Sequence, residues 1–364
     1  MQVTIVGLPG SGKTTVFNAL TGGHAETGGF SGGRTAPNMG VVKVPDQRLD
    51  RLSELFKPKK TTPADVTYVD VAIPAGAARE GTIQPDVLAQ IRNADALLHV
   101  ARAFEGGADG LPADPWRDVD ELDLEFAVAD LTVVEKRLEK LRTSGRHGSA
   151  SEREQNALEE EVLARLLPHL SEGHPLRSLE LTDDDERRLR GYRFLTQKPV
   201  LVILNIDEGR LAEADGMEAA GRERYRQPSS DVAALAGKIE AEITELPAED
   251  ADAFMAEIGI AEPSRGRVVR LTYALLGLFS FFTAGEDECR AWTLRNGSTA
   301  VDAAAAIHSD LARGFIRAEV VTYEDLMECG STAEARKRGK LRSEGKAYLV
   351  RDGDVIEVLF NVAR

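Results

Sequence analysis

A chain of 364 residues with 42% hydrophobic content can bury more than one core, so two or three domains are expected. Its formal net charge of −15 excludes a whole-molecule electrostatic grip on nucleic acid, because such a surface repels phosphate. Two cysteines, Cys289 and Cys329, are too few for a disulfide framework and suit a reducing cytosol.

The N-terminus enters an apolar strand at residues 3–6 without a basic leader, and the longest apolar stretch, residues 271–284, is too short to span a bilayer. A cytoplasmic location without membrane contact is therefore expected. Directly after that strand, Gly7-Leu8-Pro9-Gly10-Ser11-Gly12-Lys13-Thr14 fits G-x-x-x-x-G-K-[ST] and leads into a helix carrying Val16, Phe17 and Leu20. Glycines at 7, 10 and 12 do not give the dinucleotide spacing G-x-G-x-x-G. They let backbone N–H groups curl around a β-phosphate, and the helix N-terminus adds partial positive charge. Lys13 would bridge the β- and γ-phosphates, Thr14 would coordinate Mg²⁺, and Thr15 completes the expected nucleotide-contacting run.

Further short β-branched runs follow at residues 66–71, 96–101 and 200–204, separated by helical patterns, which is the signature of a mainly parallel sheet wrapped by helices. Asp70 ends the first of these, where a second Mg²⁺-orienting acid belongs. His99, in the next, has no nucleophile or carboxylate at catalytic spacing and reads as structural, as does His308. Residues 118–197 carry no strand signal. Leu124, Ala127, Leu131, Val134, Leu138 and Leu141 repeat at heptad spacing, and Leu158, Val162, Leu166 and Leu170 form one stripe, so an antiparallel helical hairpin turning at residues 143–151 is expected. It reads equally as a partner arm or a packed appendage. The fourth strand runs into Asn205-Ile206-Asp207-Glu208, where GTPases carry Asn-Lys-x-Asp to read guanine. Ile206 and Glu208 replace the Lys and Asp, so a base site with altered specificity is expected.

From residue 289 onward the pattern is strand (290–294), an Asn296-Gly297 turn, a helix after Thr299, a strand (316–322) and a final pair around Asp352-Gly353. This is a small α+β module. Basic runs at Lys57, Lys59, Lys60 and at Arg336, Lys337, Arg338, Lys340, Arg342 are where a local RNA contact would sit; the ordinary reading of each is a solvated face.

Together these features resemble the YchF family, or Obg-like ATPases, over nearly the whole chain. The resemblance includes Phe17-Asn18-Ala19-Leu20-Thr21, Pro37-Asn38-Met39-Gly40-Val41-Val42, Phe282-Thr283-Ala284-Gly285, Arg290-Ala291-Trp292-Thr293, and Gly314-Phe315-Ile316-Arg317-Ala318-Glu319. It implies an α/β P-loop core (residues 1–117 and 198–280), an inserted α-helical hairpin (118–197) and a C-terminal ubiquitin-like α+β TGS domain (281–364). It also implies ATP hydrolysis in preference to GTP and association with the ribosome or a ribosomal subunit. Gly10 stands where the family usually has Asn, which removes the expectation of potassium stimulation. The family's Asp-x-x-Gly has become Asp70-Val71-Ala72-Ile73-Pro74, with Gly76 nearby, and no Gln follows to orient water, so slow turnover is expected. In the glycine-rich first switch, with Gly28, Gly29, Gly32 and Gly33, Thr35 is the candidate Mg²⁺ ligand, although Arg34 holds the ungapped position. Two rivals stay open: a GTP-specific ribosome-associated GTPase, and a nucleotide-dependent binding module with little hydrolysis.

Overall fold

The computed structural model describes residues 1–25, 37–73, 83–106, 112–144, 149–258 and 263–361. In chain order the elements begin β1 (Gln2–Val6), α1 (Lys13–Thr21), β2 (Asn38–Lys43), α2 (Gln47–Phe56), β3 (Lys60–Thr62), β4 (Asp65–Asp70), α3 (Pro85–Arg92) and β5 (Ala96–Ala103). Two long helices follow, α4 (Pro115–Ser144) and α5 (Ala150–Ser171), then α6 (Asp183–Leu189) and a 3-10 turn at Arg190–Tyr192. The chain continues through β6 (Val200–Ile206), α7 (Ala214–Arg224), β7 (Ser230–Leu235), α8 (Gly237–Glu245), α9 (Ala248–Ile258) and α10 (Ser264–Leu275). The last elements are β8 (Leu278–Ala284), β9 (Glu288–Arg295), α11 (Ala300–Ile307), α12 (Ser309–Arg313), β10 (Phe315–Thr322), α13 (Tyr323–Cys329), α14 (Thr332–Lys337), β11 (Arg342–Glu344) and β12 (Asp354–Phe360).

Two compact units form, one from Met1–Val41 and Thr67–Val268, the other from Val42–Val66 and Val269–Arg364. The first is built on a six-stranded sheet in the order β2-β4-β1-β5-β6-β7, with parallel pairing from β4 through β7. Every residue of β5 and β6 is buried, as expected of parallel strands covered on both faces. β7 escaped the sequence reading because Ser230-Asp231-Val232-Ala233-Ala234-Leu235 has too few β-branched residues to announce a strand.

Helices α4 and α5 form the hairpin. Ala127, Val134, Leu138 and Leu141 share a core with Val162, Leu163, Leu166 and Leu170. Arg137 meets Glu159 at 2.6 Å and Arg142 meets Glu160 at 3.4 Å across the pair. Ser149 and Glu152 cap α5 reciprocally. The ends of the predicted stripes differ: Leu124 and Leu158 are exposed at 54% and 38%.

The second unit has a mixed six-stranded sheet, β11-β10-β12-β8-β9-β3, over a core that includes Phe281, Ala300, Ala303, Ala304, Val320 and Ile356. Residues 42–66, which sequence alone places in the P-loop core, pack in this unit, where β3 runs parallel to β9 with Lys60 opposite Glu288. The expected strand pair around Asp352-Gly353 is also corrected. Only β12 follows the turn, and its partners are β10 and β8. The turn is tied to β8 instead: Gly353 donates to the Ser280 carbonyl at 2.9 Å, and Asp352 accepts from Ser280 N–H at 3.2 Å. Upstream, only an isolated bridge joins Leu349 to Thr299. No helix among the described residues is long and apolar enough to cross a membrane.

Candidate nucleotide-binding site

The loop between β1 and α1 has its shape imposed from outside. Gly7 adopts φ 155°, and a Cβ there would lie 2.3 Å from the Val100 carbonyl oxygen of β5. Gly12 adopts φ 86°, and a Cβ would lie 2.2 Å from the Asn205 amide nitrogen. Ser11 N–H closes the turn onto the Leu8 carbonyl at 3.2 Å, and Val16 N–H opens the helical ladder on Gly12 at 2.9 Å. Gly12 gives α1 no side-chain cap, so the first N–H groups of the helix keep their donors for an anion. Leu8 packs against the core, Thr15 is half-buried on α1, and Pro9 and Gly10 face solvent at the rim.

Lys13 is 9% exposed, and its ammonium donates to the carbonyls of Gly7 at 2.9 Å and Leu8 at 3.1 Å. Burial lowers its pKa to about 8, against the opposing pull of Asp70. Thr14 hydroxyl donates to Asp70 Oδ2 at 2.9 Å, so the two expected metal-orienting groups are in contact. The other carboxylate oxygen, Asp70 Oδ1, is buried and has no hydrogen-bond partner among the described residues. A hard divalent cation with its water shell suits a hydroxyl beside such a carboxylate, and Mg²⁺ uses few protein ligands when phosphates supply the rest. No group of three or more His, Cys, Asp or Glu able to hold a metal occurs among the described residues. Thr35, Arg34, Pro74, Gly76 and the switch glycines lie outside the described residues.

The end expected to take the base is assembled by Asn205, near the end of β6 and 4% exposed. Its amide Nδ2 donates to the Ser11 carbonyl at 3.0 Å, and its Oδ1 accepts from Gly237 N–H at 3.1 Å, so one carboxamide ties the phosphate loop to the start of α8. Ile206 is 3% exposed in the apolar core, which removes its side chain from any open base pocket. Glu208 is exposed at the start of a 3-10 turn. Sequence reading passed over Asp207, whose carboxylate accepts from Glu105 N–H at 3.1 Å, and Arg210, which donates to the Ala103 carbonyl at 3.2 Å. Together they bind the loop after β6 to the loop after β5. Phe104 belongs here as well, since a Cβ on Gly12 would sit 3.7 Å from its ring. The missed β7 hid Gly237; the Val232–Leu235 run followed by Ala236-Gly237 is the available signal.

His99 is 1% exposed, and burial, with the positive charges of Arg177 and Lys13, drives its pKa down to about 3. It is a neutral core residue. His308 Nδ1 accepts from Asp310 N–H at 3.2 Å and caps α12. Both histidines are thus structural. After Asp70, Val71 and Ile73 are buried in the core and offer nothing to orient water.

Known proteins match this arrangement from end to end. Residues 2–140 match a family model described as 50S ribosome-binding GTPase, and residues 278–361 match the YchF-GTPase C-terminal model, described as a protein of unknown function. "Ribosome-binding ATPase YchF" of Bacillus subtilis (strain 168) is 41% identical over 98% of each chain. The chain belongs to the YchF family. The Escherichia coli O157:H7 protein of the same name is 38% identical over 98% of each chain. The solved Schizosaccharomyces pombe YchF GTPase superposes with a TM-score of 0.83 at 27% identity, covering 99% of this chain and 97% of the other. In this YchF-family chain Lys13, Thr14 and Asp70 come together at the loop between β1 and α1.

Proposed function

We propose that this YchF-family chain is a Mg²⁺-dependent nucleoside triphosphatase of the cytoplasm, that it prefers ATP, and that it works as a ribosome-associated conformational switch. One observation carries the catalytic part: an uncapped helix N-terminus, a buried ammonium at Lys13 and the Thr14–Asp70 pair converge on one loop. The phosphate-loop amides would hold the β-phosphate, and Lys13 would supply positive charge where the γ-phosphoryl group leaves. Thr14 and Asp70 are the residues that would hold Mg²⁺, which supplies charge neutralisation of the phosphates when bound. Catalysis is then positioning plus charge. With Val71 and Ile73 buried, no side chain described after Asp70 polarises the attacking water, which supports slow intrinsic turnover.

Ribosome association is supported by relatives named ribosome-binding. ATP preference is supported by the same names and by the loss of the guanine-reading side chains at Ile206 and Glu208. A GTPase reading is favoured by the description of the matching P-loop model and by the name of the fission-yeast structure. Phosphate release from ATP and GTP, in wild type and Lys13→Ala, tests the activity. Sustained release with ATP, lost in the variant, is expected. Bound but unhydrolysed nucleotide would support the binding-module reading, and faster release from GTP would support the GTPase.

A further inference from the structure

Most side chains of the two basic runs of the sequence have a carboxylate within ion-pair distance in the fold, in pairs that are largely exposed. Lys59 meets Asp287 at 2.8 Å and Lys60 meets Glu288 at 3.4 Å. Arg336 pairs with Glu319, Arg338 with Glu334 at 2.9 Å, and Lys340 with Asp325 at 3.0 Å. A third cluster stands in the first unit, invisible as a sequence run because α3 contributes one part and the chain from α6 onward the rest. Arg92, Arg187, Arg190 and Arg193 line an open depression of about 750 Å³ together with Tyr192.

Their charges are not equally spent. Arg92 Nη1 pairs with the buried Asp130 at 2.8 Å and also donates to the Arg193 carbonyl at 3.2 Å. Arg187 pairs with Asp184 on its own helix, but both side chains are about two-thirds exposed, and such a pair is weak and easily exchanged. Arg193 donates to the neutral Asn93 side chain at 2.6 Å. Arg190 is exposed and makes no ion pair among the described residues. Arg193 adopts φ 52°, a conformation that a non-glycine residue keeps only when its neighbours hold it; Arg92 and Asn93 do so here. Behind the cluster, Lys198 is lowered to about 8, first by burial, with Arg92 and Arg193 adding to the fall against Asp95 and Asp130. Complementing helix dipoles accounts for Arg187 at the last turn of α6 and for Arg92 at the last turn of α3, but not for Arg193, which lies in neither helix.

We propose that this arginine-lined depression binds the phosphodiester backbone of RNA. Guanidinium forks suit phosphate oxygens, and the only aromatic lining the depression is already used: Tyr192 stacks on Phe194 with ring centroids 5.1 Å apart and gives its hydroxyl to Glu159. With one face of that ring covered by Phe194 and four guanidinium groups around it, recognition is of backbone and independent of sequence. On a chain of net charge −15, this is the local exception through which RNA is gripped. Its placement on the ribosome rests on the ribosome-associated reading above, whereas RNA binding itself does not.

The test uses the full chain, two labelled RNA hairpins of unrelated sequence, and purified ribosomes. The variants are Arg187→Gln with Arg190→Gln, both exposed, and Arg193→Gly, which removes a charge at a backbone conformation that glycine favours. Both are expected to weaken both hairpins roughly tenfold per arginine removed near 0.1 M salt and to flatten the log–log salt dependence by about one per arginine, with ATP affinity unchanged. Unchanged hairpin affinity and salt slope in both variants would overturn the proposal. So would lost ribosome sedimentation with hairpin binding intact, which would assign the depression to an acidic protein surface. Wild-type chain that binds hairpins through these arginines but never sediments with ribosomes upholds the RNA site and removes only the ribosome-associated reading.

Discussion

The two ends of the candidate site, one proposed to take the phosphates and the other the base, are built differently. At the phosphate end each group is fixed by a contact that leaves something over: Lys13 is anchored on two carbonyls yet is a charge held against its desolvation, and Asp70 has one oxygen on Thr14 and one without a partner. At the base end Asn205 spends both its amide and its carbonyl on neighbouring loops, and the exposed Asp207 gives one carboxylate oxygen to Glu105 N–H. At this loop the unspent polarity of Lys13 and Asp70 lies where a phosphate and its cation would bind, and the spent polarity of Asn205 holds the loop in shape.

If that contrast is right, Lys13→Ala has the largest effect, about a hundredfold or more on triphosphate binding, since it deletes a charge donated to the phosphates. Thermal stability should hold or rise, because a lysine lowered to about 8 is an ammonium the fold disfavours. A large drop in melting temperature would instead make Lys13 a structural residue. Asn205→Ala comes next and should behave oppositely: it strands the Ser11 carbonyl and the Gly237 N–H, costs roughly 2–4 kcal/mol in urea unfolding, and weakens ATP and GTP alike. Selective loss of one nucleotide would show that Asn205 reads the base.

The pH dependence sharpens the phosphate end. Lys13 in the free protein titrates at about 8, below its ordinary 10.5, and a bound triphosphate favours the ammonium. Binding therefore takes up a proton as pH rises through about 8, and affinity should be flat below that pH and fall by up to about tenfold per unit above it. Calorimetry in buffers of different ionisation heat checks this; an affinity constant from pH 7 to about 9.5 contradicts it. The smallest effect belongs to Glu208→Asp. Its side chain is exposed at the rim, so it should shift the ATP-to-GTP ratio toward GTP by less than about tenfold in a competition assay. Ile206→Lys is unsuited to the same purpose, because it would bury an ammonium in the core.

Most of the phosphate end was legible in the sequence, because its chemistry is local. Gly7 to Thr14 are consecutive, and Asp70 is one strand away, where a parallel sheet must bring it. The hairpin was legible for the same reason: the heptad positions from Ala127 to Leu141 encode their own partners within one helical pair. What escaped depends on contacts between distant segments. Nothing near residues 42–66 says that β3 will pair with β9 more than 220 positions later, as the Thr62–Glu288 hydrogen bond at 2.6 Å requires. The Arg92–Arg193 cluster escaped because its members are scattered and individually ordinary. Ile206 was placed in the base site by analogy with its position in the motif, whereas β6 extends far enough to turn it into the core.

A single titration tests the central claim most directly. Wild-type chain is titrated with ATP and with GTP, each with and without Mg²⁺, and the series is repeated with Asp70→Asn. Tighter ATP than GTP binding, strengthened by Mg²⁺ in the wild type and not in the variant, is the predicted result. Affinity that ignores Mg²⁺ and is the same in Asp70→Asn would contradict the assignment of Thr14 and Asp70 as the groups that hold the ion.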